Sequence, residues 1–546
     1  MKEFPGKSRP LVVGSAIGLI TALTLVGCSS NSGSAVLGGG SVLNPTPEPP
    51  KIILGEPFAY PTDVQVEGLT GQRILSSTGS EARWSYLPGD QAFNPVLASL
   101  VSDYLSSQAQ TREMTYVPEA QEPSETLLNR GCVSGSTSLS AREILDNPDL
   151  SLYADGQVQQ TITCEAVLAS GTTFGERLRI VRGNSTEVVS DWVEVLYTDT
   201  ATGETARGRD IIQESALPVL LDALYENLKL DQPMSGDQVL PPSSETISDL
   251  KISLYNVGFN DQGDTVVTVD GAFTSVIAAG DQKYQPKAET LVIPAARAEE
   301  LLTPLGATIS AAKASSLPWS GPGAVASGNE YVDCDLVPCV AVTYDDGPSA
   351  ESTPVVLDAY SSRPYAATTF FILGTNVPGN EQVLQRAVAE GHELANHSWS
   401  HSAFTTLDDA SIQAEWGDTS KVIEEAAGQP VKYLRPPYGD MDERTRMAYP
   451  YPTILWSVDT NDWQHPGTDV VVQRALDGAE PDGIILMHDI HPDTVAGAGA
   501  IVDGLLMRGY TLVTIDQLFT GNPPAQGKYF WDAQMVRDAR QVGETQ

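Results

Sequence analysis

Asp345-Asp346 closes an apolar run, and His397-Ser-Trp-Ser-His401 follows some fifty residues on. A carboxylate and two imidazoles are the donor set of a catalytic Zn²⁺ site that keeps one position open for water. All six histidines (His392, His397, His401, His465, His488 and His491) fall between residues 392 and 491, and the 391 residues before them hold none. Metal or acid–base chemistry near neutral pH therefore belongs to that stretch.

Successive side chains leaving a strand point in opposite directions, so Asp345 and Asp346 can serve two roles. One can bind metal while the other sits beside the attacking water. Asp-Gly-Pro is also ordinary turn chemistry. His397 and His401, four apart, share a face on a helical turn or converge on a loop. Each alone would read as a hydrogen-bonded core histidine; the pair after a separate Asp-Asp strand end reverses that. Arg435-Pro-Pro-Tyr438-Gly has a proline-stiffened backbone and an arginine that could hold a carboxylate by a fork. Asp459-Thr-Asn-Asp462-Trp463 sets carboxylates beside an aromatic wall, which suits stacking on a sugar. Leu486-Met487-His488 puts a histidine after a buried strand, where a neighbouring carboxylate can raise its pKa for general-acid work.

The elements that must position these groups alternate. Strands are predicted over Val340–Thr343, Thr368–Leu373, His392–Ala395, Tyr433–Arg435, Thr453–Val458, Gly483–Met487 and Thr511–Thr514. Helices are predicted over Gln382–Glu390, Asp408–Ala427, Asp469–Leu476 and Val495–Arg508. Strand–helix alternation implies a parallel sheet or barrel with right-handed crossovers. The polar clusters all follow strands, and residues at strand C-terminal ends point into the sites of such folds.

At 546 residues the chain is long enough for two or three domains. Its formal net charge of −38 argues against nucleic acid as a partner, because phosphate would repel it. Lys2, Lys7 and Arg9 precede the apolar run Leu11–Val26, which has the length of a signal h-region rather than a membrane span. Leu25-Val26-Gly27-Cys28 resembles a bacterial lipobox. That implies a signal peptide over 1–27, a lipid on Cys28, and a location on the outer face of the cell membrane. Residues 28–51, rich in Ser, Gly and Pro, read as a flexible tether. The four remaining cysteines suit an exported protein with two disulfides. Three pairings are open; Cys132–Cys164 and Cys334–Cys339 are favoured because each falls within one domain. Residues 52–317 read as an α+β region of one or two subdomains, with strands over Glu176–Arg182 and Trp192–Thr198, a helix over Leu217–Leu230, a hairpin over Asp249–Asp270, and a strand then helix over Thr290–Leu305. A linker over 318–334, a catalytic domain over 335–520 and a tail over 521–546 complete the expected organisation.

Taken together, TYDDGP, HSWSH, RPPY, DTNDW and LMH resemble the five ordered motifs of the polysaccharide deacetylase family (NodB-homology domains, carbohydrate esterase family 4): TFDDGP, HSxxH, RxPY, DxxDW and LxH. The single departure is Tyr344 for Phe, at a position that should pack rather than react. The resemblance covers residues 335–520 and implies a distorted (β/α) barrel. It implies that Asp346, His397 and His401 hold Zn²⁺ or a similar divalent ion such as Co²⁺. Asp345 would be the general base and Arg435 its orienting partner. His488 would be the general acid, tuned by Asp462 or Asp459. The backbone N–H of Tyr438 would help hold the oxyanion, while Trp463 and Leu486 wall an acetyl pocket. His392, His465 and His491 match no motif position and read as structural or peripheral. Residues 52–317 are loosely similar to accessory regions that precede such domains in bacterial cell-wall deacetylases. The implied reaction is removal of N-acetyl groups from an N-acetylglucosamine polymer, peptidoglycan first and chitin-like oligomers second. An O-acetyl esterase on xylan or another wall glycan and a non-catalytic wall-binding lipoprotein are the alternatives. A serine hydrolase built on Ser398 or Ser349 is disfavoured, since the chain has no G-x-S-x-G elbow.

Overall fold

The computed structural model describes residues 49–151, 156–231, 243–277, 287–361, 363–519 and 523–543. Cys28 and the stretches read as a leader and, for the most part, as a tether lie outside them.

The strand Cys339–Asp345 shows how sequence becomes site. All seven of its residues are buried, and they divide by parity. Val340, Val342 and Tyr344 join the apolar cluster formed with the surrounding helices, while Cys339 and Ala341 join a second cluster that runs from the barrel interior into the first region. Thr343 and Asp345 lie on that inner face, so the strand delivers Asp345 at its C-terminal end, inside. Tyr344 does pack: its hydroxyl lies 3.2 Å from that of Tyr360, and its ring stacks on Phe370.

Parallel strands flank it in the order Glu393–Asn396, Thr369–Ile372, Cys339–Asp345, Gly483–His488 and Val458–Asp459. Leu434 bridges Asn396 on one side and Thr453 on the other. The run from Thr453 to Asp459 then reaches the Gly483–His488 strand, closing a distorted (β/α) barrel. Several predicted strands are shorter than read; Thr511–Thr514 pairs only over Thr511–Leu512. Tyr433–Arg435 contributes a single bridging residue, Leu434, because Pro436 and Pro437 lack the N–H a ladder needs. The stretch 453–458 breaks in the middle, where the Ile454 and Leu455 carbonyls turn to the Arg435 guanidinium. A helix over Thr353–Ser361 was not anticipated.

Residues 52–317 form two sheets. One has six strands, Thr70–Ser76 through Glu204–Arg207 in chain order, largely antiparallel. The other has four, with Ile53–Gly55, Glu289–Ile293, Thr265–Val269 and Leu254–Phe259 in that order. Leu220, Leu221 and Leu224 of the helix Leu217–Asp231 share a core with side chains of both sheets. The hairpin lies over 254–269, and residues 249–253 end a helix, Ser244–Ser253, whose cap is Ser243.

Cys132 is bonded to Cys164 and Cys334 to Cys339. Two expected boundaries need correction. The stretch read as a linker is packed: Trp319 bridges Gly171, Tyr331 packs edge-on against Tyr86, and Val332 and Cys334 are buried. The stretch read as a tail belongs to the barrel. Tyr529–Phe530 pairs in parallel with Thr453–Ile454, Phe530 and Val536 are buried, and Arg540 is paired to both Asp482 and Asp335.

Candidate metal and acid–base site

The loop after Cys339–Asp345 turns sharply at Asp346, whose φ is +75°. That left-handed turn separates two adjacent carboxylates. Asp345 stays buried in the barrel mouth, while Asp346 faces the loop that carries His397 and His401. Gly347 lies so close to Asp489 that a Cβ there would meet both carboxylate oxygens at 2.5 and 2.6 Å, which is why glycine occupies it.

The ligand atoms of Asp346, His397 and His401 all lie within 4.8 Å of one another. Asp346 Oδ1 is 3.5 Å from His397 Nε2 and 3.4 Å from His401 Nε2, and this buried oxygen has no hydrogen-bond partner. His397 Nδ1 is 2.7 Å from the Arg435 carbonyl. A carbonyl only accepts, so Nδ1 carries the proton and Nε2 presents its lone pair. Burial pushes His397 down to about 3, which keeps it neutral. A carboxylate oxygen and imidazole lone pairs converging on one point repel each other unless a cation lies between them. The donor set, one oxygen and two nitrogens, fits a divalent ion of the zinc kind. His401→Ala removes one donor, and metal content per chain should fall sharply in the purified protein. Unchanged stoichiometry by elemental analysis would contradict the assignment.

Arg435 is fully buried, and all three of its guanidinium nitrogens donate. Nη1 donates to Asp345 Oδ1 at 2.7 Å and to Thr343 Oγ1 at 2.9 Å; Nε and Nη2 donate to the Ile454 and Leu455 carbonyls. The arginine holds its carboxylate by one arm rather than by a fork. Its other arms lock it to the backbone, and Phe371 lies 4.0 Å beneath it. Burial raises the Asp345 carboxyl above its ordinary value, against the pull of Arg435 and His488.

His488 Nδ1 bonds Asp462 Oδ1 at 2.8 Å, and Asp462 Oδ2 accepts the His488 amide and the Thr494 hydroxyl. Burial alone would lower His488. The Asp462 hydrogen bond and the charges of Asp345, Asp462 and Asp346 outweigh it, raising the imidazole to about 9. Of the two candidate tuning carboxylates, Asp462 is thus the one in contact. Asp459 instead accepts the Asn461 amide in its own turn.

Tyr438 (φ +63°) is 71% exposed, with its ring edge-on to His401 at 4.5 Å between centroids. Trp463 is 51% exposed, and Leu486 is buried on the strand that ends in His488. Of the histidines outside the motifs, His392 is buried between Tyr360 and Phe370. His465 and His491 are not remote: His491 contacts both His488 and His465, at 5.0 and 5.1 Å between ring centroids. Of the two serines weighed as nucleophiles, Ser398 is fully buried and accepts the His401 amide, and Ser349 accepts the Glu351 and Ser352 amides in its own turn. Sequence reasoning missed Thr343, Thr494 and Asp489. Asp489 is buried, accepts the Thr353 hydroxyl, and is pushed by burial up to about 7. Its only signal in the sequence is its place after His488.

By class this is a parallel α/β barrel whose C-terminal mouth carries a triad able to hold a metal ion, together with a carboxylate–arginine pair and a carboxylate–histidine pair. The polysaccharide deacetylase family model matches residues 334–450. A peptidoglycan-N-acetylglucosamine deacetylase from Listeria monocytogenes is 37% identical over 193 residues, which is 35% of this chain and 41% of that protein's length. A chitooligosaccharide deacetylase from a Bradyrhizobium strain is 32% identical over 206 residues, covering 34% of this chain and 94% of that protein. A solved structure described as a T48 deacetylase with substrate is 43% identical, covering 36% of this chain and 99% of its own, with a TM-score of 0.35. The chain belongs to the polysaccharide deacetylase family.

Proposed function

We propose that this chain hydrolyses the N-acetyl amide of N-acetylglucosamine units in a cell-wall polysaccharide, with peptidoglycan as the substrate of first choice. The observation that carries the reading is that a buried carboxylate held by Arg435 and an imidazole bonded to Asp462 meet one candidate metal triad at the same barrel mouth. Asp346, His397 and His401 would hold the ion, Zn²⁺ by preference. When bound, it supplies Lewis acidity that activates water and polarises the acetamide oxygen. Asp345, aimed by Arg435, takes the proton of the attacking water. His488 gives a proton to the departing sugar nitrogen, so the C–N bond breaks to a free amine and acetate. The Tyr438 amide helps stabilise the oxyanion, and Leu486 and Trp463 limit the acyl group to something as small as acetyl. Relatives named for peptidoglycan and for chitooligosaccharide deacetylation support the N-acetylglucosamine preference.

The test is acetate release by the full chain from N-acetylglucosamine oligomers, peptidoglycan and acetylated xylan, before and after chelation and Zn²⁺ readdition. Chelator-sensitive release from the amino-sugar polymers is expected; release from xylan alone would overturn the amide reading.

Asp462 sets the alkaline limb. A general acid must be protonated, so activity is lost as pH rises through the His488 pKa. Asp462→Asn removes one of the charges that oppose burial, and weakens the hydrogen bond that does the same, so the limb of the kcat profile should move to lower pH. An unmoved limb would remove His488 as the acid or Asp462 as its tuner.

The leader supports a location at the outer face of the membrane, through a lipid on Cys28. Cys28→Ala should shift the protein from the membrane to the soluble fraction and end incorporation of labelled lipid; continued labelling would defeat the anchor.

A further inference from the structure

We infer that Glu415, outside every motif above, is a positioning residue that holds the His397–His401 loop in its metal-binding shape. The inference rests on the metal-site reading.

The loop needs holding. Ser398 and His401 have φ of +76° and +62°, in the left-handed region that residues other than glycine enter only at a cost. Without that shape the two imidazoles would not face Asp346 together. The carbonyls of Ser398 and Trp399 are fixed by the Gly374 and Thr375 amides, at 3.0 and 3.1 Å. Within the loop, Asn396 Oδ1 accepts the Ser398 amide and Ser398 Oγ accepts the His401 amide.

The middle of the loop is held by Glu415. Its Oε2 accepts the Trp399 and Ser400 amides, both at 2.8 Å, and its Oε1 accepts the Ser400 hydroxyl at 2.5 Å. One carboxylate thus gathers the two amides between Ser398 and His401. The anchor is firm. Glu415 stands on the helix Asp409–Ala427, capped by Asp408 and seated through Ile412 and Ile423. The same helix is tied to the strand before the loop, because Asn396 Nδ2 donates to the Trp416 carbonyl and the Ser420 hydroxyl. Partners that orient metal-bearing groups typically carry 10–100-fold in metal affinity.

The test is titration of the metal-free full chain with Co²⁺, read by its visible absorption, which needs no turnover. Glu415→Ala should weaken Co²⁺ binding by about 10–100-fold, and kcat should recover when Co²⁺ is raised to saturation. Glu415→Gln should bind within a few-fold of wild type, because its carbonyl oxygen still accepts both amides and its NH₂ can donate to the Ser400 hydroxyl. If Glu415→Ala does not fold by near-UV circular dichroism, Glu415→Asp, whose shorter arm cannot span the three contacts, carries the same expectation. Wild-type affinity in a folded Glu415→Ala or Glu415→Asp would overturn the inference, as would a Glu415→Gln as weak as Glu415→Ala. His401→Ala separates this from failure of the site itself: if it too binds Co²⁺ like wild type, the metal-site reading falls first.

Discussion

Asp345→Asn should cut acetate release by about 10²–10⁴-fold, the usual share of a general base, while the metal stays bound. Asparagine is nearly the same size, and its side-chain oxygen can still accept from Arg435 Nη1, so the barrel mouth should keep its shape. What it loses is the ability to take a proton. Asp345 Oδ2 lies 3.7 Å from His397 Nε2, yet the carboxylate is already committed to Arg435 through Oδ1. Asp346 has the reverse character: its Oδ1 is unbonded and faces both imidazoles. Asp346→Asn is therefore the matched control, expected to lose metal and activity together. Measuring kcat beside metal content distinguishes the two. Full turnover in Asp345→Asn would remove it as the base, and loss of metal would make it a ligand.

That division of labour shows where sequence was informative and where it was not. Strand parity and the positions of the polar clusters are local properties, so the Asp345-Asp346 strand end and the His397/His401 pair could be read from spacing. What each group touches depends on pairings distant in sequence. Nothing local to Arg435 says that two of its arms go to the 454 and 455 carbonyls, or that this interrupts the strand there. Asp459 and Asp462 are equally good partners for His488 by position; only the turn at Asn461, with φ +52°, decides which carboxylate reaches it. Glu415 gives no signal because its helix is amphipathic for ordinary packing reasons. The Ser/Gly/Pro-rich look of 318–330 suggested a break, but Tyr331, Val332 and Cys334 just beyond it are drawn into a core that composition cannot reveal.

That core predicts that the catalytic barrel will not stand alone. Ile74, Trp84, Leu97 and Leu105 of the first region and Leu336, Phe371, Tyr433, Ile454 and Phe519 of the barrel belong to one continuous apolar cluster. Polar ties reinforce the seam. The Arg508 and Met507 carbonyls accept the Gln121 and Ser124 amides, Tyr116 donates to the Leu336 carbonyl, and Arg130 donates to Thr511 and the Tyr510 carbonyl while lying over Tyr365. A fragment beginning at residue 330 keeps both cysteines of the second disulfide but uncovers this face. Each large apolar side chain returned to water costs about 1.5–3 kcal/mol, against a total stability of about 5–15 kcal/mol for a folded domain. Three or four such exposures would consume most of it. Fragment 330–546 should melt well below the full chain or fail to fold, and ending it at residue 520 should worsen matters by deleting Phe530 and the Arg540–Asp482 pair. Thermal unfolding followed by circular dichroism checks this, and a fragment as stable as the full chain would show the seam to be dispensable. If the fragment does fail, its silence in an acetate assay says nothing about the catalytic residues, because the first region is then part of the scaffold that holds Asp345, His397 and His488 in place.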